Sequence, residues 1–582
     1  MKRNYVSLAN SFHDSAMAIV SDAGEVLFAE ASERYLQNKR SIGVAPDLFM
    51  RAAEIVETYC DPDAEIVVAT TWGPESKAVL SEGLDKTLQG AAQYRKAFGA
   101  PTGFVRRQLA GQALFHRAQL AMVEQPGHLL DFDLAHSDRF GEKELHWRGY
   151  EHHLTHAAAG CFSCPFDEAV CVVLDGMGER GAFACYQYRD GKLTEIETGR
   201  AGTRASLGAF YTAVCEACGF GPMSGEEWKV MGLASYGEHD PALVGLLREM
   251  ISVDGLALRT PPPAKATQLL EKLHAVRRRK GTPAIQCADL AYAGQLVFTE
   301  VLIELLRNLH ALGLSDNLVL AGGCALNSSA NGQVLDQTPF RRLHVFCAPG
   351  DDGNAIGAAL LAQREDHPHR RGSPSFFSPY LGSAMLESTL ANVARFGGLK
   401  LTRCPGDAPQ RAARFLSDGK IIGWIQGRAE FGPRALGNRS ILADPRSAAI
   451  KDTLNARIKF REEFRPFAPS ILHEYGPQFF EHYQESPYME RTLRFRASAA
   501  SRVPGVVHRD GTGRLQTVKE AWNPRYHSLI SEFYRLTDVP LVVNTSFNVM
   551  GKPISHSVED ALAVFFTSGL DALFIDDVLI EK

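Results

Sequence analysis

His152 and His156 stand four residues apart in EHHLTHAAAG, a segment of helical composition, so both imidazoles project from one face and can grip one metal ion. The residue after His152 is His153, not the glutamate that zinc-protease chemistry requires. Two aspartates complete the set: Asp175 ends the apolar run AVCVVLD, and Asp351 lies in the Gly-flanked turn APGDDG. Two imidazoles with two carboxylates make a mixed nitrogen and oxygen shell, which suits iron or manganese better than a structural zinc. A pair of packed or capping histidines is the competing reading of the same spacing. His13, beside Asp14 in SFHDSA, titrates near neutrality and is a candidate proton carrier, with a capping role as the alternative.

A different chemistry is written further along the chain. From Gly423 to Ser470 nine basic residues stand against five acids, in a protein whose formal charge is -5. Several interleave with Gly, Pro and Phe in GRAEFGPRALGNRS and NARIKFREEFRPFAPS, unlike a solvated helix face. Guanidinium forks suit phosphate oxygens and Lys459 adds a point charge, so the window reads as a polyphosphate site. In LAGGCALNSS, Gly322 and Gly323 let backbone approach a ligand, and the helix they open offers amides to a nucleotide; a plain tight turn is the other reading.

Two tempting motifs fail on context. GMGERG at 176–181 matches a dinucleotide fingerprint in its letters, but AFACYQY after it alternates like a strand where the fingerprint must open a helix. CFSC at 161–164 and CEAC at 215–218 are too far apart for a usual zinc loop, and they read as buried thiols in a reducing compartment.

These residues need elements to hold them. At 582 residues the chain exceeds one core, and its composition, 45% hydrophobic and 22% charged, is that of a globular protein. The net negative charge argues against a protein built to grip nucleic acid, and no apolar run is long enough for a membrane span or signal core, so the chain reads as cytoplasmic. YVSLAN, AMAIV and EVLFAE read as three strands joined by turns, and AVCVVLD, AFACYQY and LTEIET repeat that plan. Two copies of a meander opened by an Asp-bearing turn point to two similar α/β lobes facing a cleft, an actin-like (ASKHA) arrangement. Residues 45 to 160 read as mostly helical insertions, and ADLAYAGQLVFTEVLIELLRNLHAL as a long helix. HPHRRGSPSFFSP, rich in Pro, Gly and Ser, reads as a linker with a domain boundary near residue 370, after which IIGWIQG and VPLVVNTSF return to strand patterning.

Ten blocks in order, SFHDSA, EHHLTHAA, LDGMGERG, KVMGLASYG, AGGCALNS, APGDDGNAIGAA, SPYLG, GRAEFGPRALGNRSILADPR, KFREEFRPFAPS and NTSFN, carry a resemblance along the whole chain. It resembles the ATP-dependent O-carbamoyltransferases of the NodU/CmcH family. The resemblance implies an α/β fold in which residues 1–370 form a duplicated ASKHA-type domain with helical insertions, and residues 371–582 a YrdC-like α/β domain. It implies that the second domain activates carbamoyl phosphate with Mg-ATP to carbamoyl adenylate, and that the first passes the carbamoyl group to a hydroxyl of a small molecule.

By the same resemblance His152, His156, Asp175 and Asp351 hold Fe(II) or another divalent metal, and His13 deprotonates the acceptor. Arg434, Lys459 and Arg465 serve the activation site with Asn544 and Ser546 as neighbours, Arg428 and Arg439 join them, and Gly322, Gly323 and Asn327 line the adenosine. Trp228, where relatives carry a smaller residue, is expected to reshape the acceptor side. The large inserted helices suit a homodimer. Two other functions share parts of this pattern: a small-molecule kinase or ATPase of the same fold, and a tRNA threonylcarbamoyl-type modification protein.

Overall fold

The computed structural model describes residues 2–98, 103–124, 127–198, 205–369 and 374–582. The first meander forms as its alternation predicts: β1 (Arg3–Ala9) pairs antiparallel with β2 (Ala16–Val20), and β2 with β3 (Val26–Ala31). β4 (Glu65–Thr70) lies parallel along the free edge of β1, and β5 (Leu145–Gly149) parallel to β4, giving the order β3-β2-β1-β4-β5. The second meander, β6 (Glu168–Gly178), β7 (Gly181–Arg189) and β8 (Lys192–Ile196), begins the same construction again. A small hairpin of β9 (Ser252–Asp254) and β10 (Ala257–Arg259) intervenes; β11 (Asn317–Ala321) then pairs parallel with β6, and β12 (Arg342–Val345) parallel with β11. The resulting order, β8-β7-β6-β11-β12, repeats the first sheet strand for strand. This is the duplicated actin-like plan.

Two strands inside the stretch read above as helical correct that reading. EIVVAT and LHWRG are β4 and β5, short runs whose type periodicity alone does not decide. The helical reading holds for Ser76–Phe98 and Gly103–Glu124. The GMGERG segment is a hairpin turn from β6 to β7.

A helix follows the fifth strand of each sheet, His152–Ser163 in one and Asn354–Asp366 in the other, and the two pack together between the sheets. Their facing sides are small, AAAG against AIGAA. A Cβ at Gly357 would collide with the Thr155 carbonyl oxygen, so only glycine allows this approach. Tyr5, Val67, Ala158, Val173, Val319 and Ala358 share the core there, joined by Phe431, Leu436 and Tyr488 from the C-terminal part.

Beyond residue 374 nine strands form one sheet: β13 (Leu401–Arg403), β14 (Ile422–Ile425), β15 (Arg439–Ala443), β16 (Ala468–Leu472), β17 (Arg491–Arg494), β18 (Thr512–Val518), β19 (Leu541–Ser546), β20 (Ala572–Ile575) and β21 (Val578–Glu581), in the order β13-β21-β20-β14-β15-β19-β16-β18-β17. It has its own apolar core, with Trp424, Ile441, Val543 and Phe574 at the centre. The expected boundary near residue 370 adjoins residues 370–373, which lie outside the described residues. All eleven cysteines are free thiols; Cys161 and Cys164 lie in the core between the sheets and Cys215 and Cys218 in the core on the outer face of the second, so the two pairs share no site. Among the described residues no helix is long and apolar enough to cross a membrane.

Candidate active site

Matching positions of the two sheets deliver the histidine and aspartate set. His152 and His156 occupy the first turns of the helix after β5, and Asp351 the turn before the equivalent helix after β12. Asp175 leaves β6 where its pairing with β7 becomes irregular, between Leu174 and Gly178, a bulge of the kind that re-aims a side chain. Glu151 caps the histidine helix through Leu154 N at 3.0 Å. Glu179, in the β6–β7 turn, accepts from His152 N (2.9 Å), Gly73 N (3.0 Å) and Ser76 Oγ (2.8 Å), and so ties the helix start to the loop after β4. Trp72 from that loop stacks on the His152 ring, centroids 4.5 Å apart. Sequence reading missed Glu179 and Trp72; an acid in a Gly-rich turn was the one local signal.

One donor atom from each of His152, His156, Asp175 and Asp351 lies within 4.8 Å of all the others. His152 Nε2 is 3.4 Å from Asp175 Oδ2 and 3.6 Å from Asp351 Oδ1, and His156 Nε2 is 3.4 Å from Asp351 Oδ1 and 3.9 Å from Asp175 Oδ2. Such separations are long for hydrogen bonds, but donors each about 2.1 Å from one ion stand about 3–4 Å apart. His156 Nε2 is buried and makes no hydrogen bond. The residues therefore fit a divalent metal. Burial works against a charged His152, yet the carboxylates of Asp351 and Asp175 outweigh it and raise its pKa well above the ordinary value. Burial likewise disfavours charge on Asp351, and the histidines, His152 foremost, still hold it well below the usual carboxylate range. Positive charge is wanted at this point.

His13 sits beside this set. Its Nδ1 is 2.9 Å from Asp14 Oδ2 and 3.9 Å from Asp351 Oδ2. Asp14 takes a left-handed backbone (φ 57°), and its carboxylate also meets Arg40 Nε at 3.4 Å. Gly323 N donates to Asp175 Oδ1 at 3.1 Å, and at Gly322 (φ 84°) a Cβ would collide with the Leu174 carbonyl oxygen. The paired glycines thus bring the backbone against the metal set. Asn327 caps the following turn of helix through Ala330 N (3.1 Å) and bonds Gln295.

The basic window divides in two. Arg439 is fully buried and donates to the carbonyls of Gln426, Asn438, Ser383 and Gly427; Arg428 donates to Leu381 and Gly382. Both are spent on backbone, which corrects their expected place at the phosphate site. Lys459, also buried, gives its ammonium to Ser546 O and to Asn548 O (3.0 Å) and Oδ1 (2.7 Å), so it braces the β19 end in place of standing free. Asn544 is buried against Ser470, Gln516 and Ala435.

Arg434, Arg461 and Arg465, with Arg514 of β18, make up the other group, in which Arg461 donates to Asn455 Oδ1 (2.7 Å) and Pro466 O (3.4 Å). Among the described residues the side chains of Arg434 and Arg514 have no hydrogen-bond or ion-pair partner, and Arg465 Nε has none. Burial, then Arg434, Arg461 and Arg465, push Arg514 well below its ordinary pKa, and burial lowers Arg434 to about 10. Burial works against the charge of each of these half-buried cations, and their gathering suits an anion. Glu430 shapes the loop that presents Arg434, its carboxylate accepting from Leu436 N (2.6 Å), Asn438 N (3.1 Å) and Arg439 N (3.2 Å). Trp228, expected on the acceptor side, lies with its ring 3.9 Å from the Arg465 guanidinium.

With both centres described, comparison with known proteins decides the family. Residues 5–360 match the carbamoyltransferase N-terminus and residues 413–582 the carbamoyltransferase C-terminus. The chain belongs to the carbamoyltransferase family. It is 38% identical over 445 residues to the nodulation protein NolNO of Sinorhizobium fredii, covering 74% of this chain and 63% of that one. An uncharacterized protein of Synechocystis sp., sll1178, is 35% identical across 98% of this chain and 95% of its own length. Nodulation protein U of Sinorhizobium fredii is 28% identical across 93% of each. As a carbamoyltransferase the protein is a transferase enzyme that moves a carbamoyl group. The N-terminal match spans the histidine and aspartate set, and the C-terminal match spans the four arginines.

Proposed function

We propose that this carbamoyltransferase uses ATP and carbamoyl phosphate to carbamoylate a hydroxyl of a small molecule. The observation that carries the reading is the pairing of two centres: an arginine cluster in the C-terminal part, in which the side chains of Arg434 and Arg514 have no partner among the described residues, and a metal-ready set beside a histidine base in the duplicated part.

In the first step, carbamoyl phosphate loses its phosphate to water, and the resulting carbamate oxygen attacks the α-phosphorus of Mg-ATP. The bond to pyrophosphate breaks and carbamoyl adenylate forms. Arg434, Arg461, Arg465 and Arg514 neutralise the anions that must meet there, the largest electrostatic obstacle to the step. On this reading residues 371–582 take the YrdC-like role. In the second step the acceptor oxygen attacks the carbamoyl carbon, the bond to AMP breaks, and His13 takes the hydroxyl proton. Asp14 accepts from His13 Nδ1, which leaves Nε2 as the base. His152, His156, Asp175 and Asp351 would hold the metal, and their donor set suits iron; when bound, the ion supplies positive charge beside the adenylate phosphate.

The test is exchange of labelled pyrophosphate into ATP, which an adenylate intermediate makes reversible. Exchange that depends on carbamoyl phosphate supports the reading, and its absence with active enzyme sinks the adenylate.

A further inference from the structure

The short helix Glu227–Ala234 belongs to the metal-bearing part, yet its first turn reaches the anion pocket. The ring of Trp228 lies 3.9 Å from the Arg465 guanidinium, with Lys39 Nζ at 5.9 Å. Lys229, 8% exposed, places its Nζ 2.6 Å from Glu226 Oε1 and 2.7 Å from Glu462 Oε1. The other Glu462 oxygen is 3.5 Å from Arg465 Nη1. Two residues on, Phe464 is buried in the core on the outer face of the second sheet, beside Phe220 and against Gly232. The loop that carries Arg461 and Arg465 is therefore clasped by the other part of the chain. It follows a π-helical turn, Asn455–Lys459, and a left-handed Phe460 (φ 47°), and Arg461 Nε donates back to Asn455 Oδ1 of that turn at 2.7 Å.

An arginine three residues from a glutamate ordinarily closes a short, charge-assisted pair, which would neutralise it. Here Lys229 holds Glu462 Oε1 at 2.7 Å, and Oε2 makes only a long contact of 3.5 Å with Arg465. The geometry points to Lys229 and Trp228 as positioning residues of the anion pocket: Lys229 draws Glu462 off Arg465, Trp228 holds the guanidinium plane, and Arg465 stays available to phosphate oxygens. The inference rests on the reading of this pocket as the activation site and names two residues outside it that keep it open.

Removal of the Lys229 charge frees Glu462 to close on Arg465 and compete with phosphate, and removal of the Glu462 charge as well undoes that competition. A purely structural Lys229 would show no such rescue. The test uses the full-length protein, with inorganic pyrophosphate binding followed by calorimetry and ATP KM by carbamoyl-phosphate-dependent pyrophosphate release. Lys229→Met is expected to weaken binding and raise KM about tenfold, and Lys229→Met with Glu462→Gln to return both to within about threefold of the parent. Thermal melting confirms that each variant is folded, and Trp228→Leu should weaken binding in the same direction. A Lys229→Met protein that binds pyrophosphate as the parent does, or a double variant no better than the single one, overturns the inference alone. A parent that binds no pyrophosphate overturns the activation reading and this inference with it.

Discussion

His13 Nδ1 lies 2.9 Å from Asp14 Oδ2, and because a carboxylate only accepts, this contact leaves Nε2 as the ring nitrogen able to take a proton. On the proposed reading the two steps then separate by residue. His13→Ala should leave pyrophosphate release near the parent level while slowing carbamoyl transfer by roughly 10²–10⁴-fold. Parallel assays of pyrophosphate and of carbamoylated product check this, and equal loss of both would assign His13 a structural role.

On the proposed reading Arg514 and Arg434 serve the opposite step. Replacing either with Ala should reduce carbamoyl-phosphate-dependent pyrophosphate release by about tenfold or more, since each removes a charge-assisted contact to an anion. The fold should survive, because neither guanidinium holds any described residue. Lys459→Ala should instead lower the melting temperature, its ammonium being bound to Ser546 and Asn548.

The metal set predicts a measurable stoichiometry. The purified protein should carry about one divalent ion, and His156→Ala or Asp351→Asn should lower metal affinity by at least about tenfold, read by elemental analysis. Gly357→Ala should do the same at a distance, by forcing apart the helices that carry His156 and follow Asp351.

Glu30 offers a pH test of how the N-terminal and C-terminal parts hold together. Its carboxylate accepts from Ser383 N (3.1 Å) and Oγ (2.6 Å) and lies 3.4 Å from His556 Nδ1. Burial alone would raise it, but these partners hold it at about 2. A depressed folded-state pKa gives stability that is complete above the ordinary carboxylate value of about 4.5 and is lost as pH falls through about 2. Glu30→Gln should thus cost on the order of 3 kcal/mol at pH 7. The gap between parent and variant melting curves should narrow below pH 4.5.

Much of this was legible in the chain. The meanders were readable because strand alternation and turn residues are local, and the repeat of Asp-bearing turns located Asp175. The His152 and His156 spacing named its own face. What stayed hidden depends on partners far along the chain. Arg514 is one basic residue in the alternating strand TGRLQTV, where nothing local separates a cation aimed at a ligand from one aimed at solvent. Arg428, Arg439 and Lys459 carry the same charge as their neighbours, and only the carbonyls that the fold brings to them show that they are spent. β4 was lost because EIVVAT sits among helices, and its parallel pairing with β1 bridges some sixty residues.

The central claim is most directly tested by 31P NMR of the full-length enzyme with Mg-ATP, carbamoyl phosphate and a hydroxylated acceptor. AMP, pyrophosphate and inorganic phosphate should grow together in equal amounts, with no ADP. ADP as the nucleotide product would contradict activation through an adenylate.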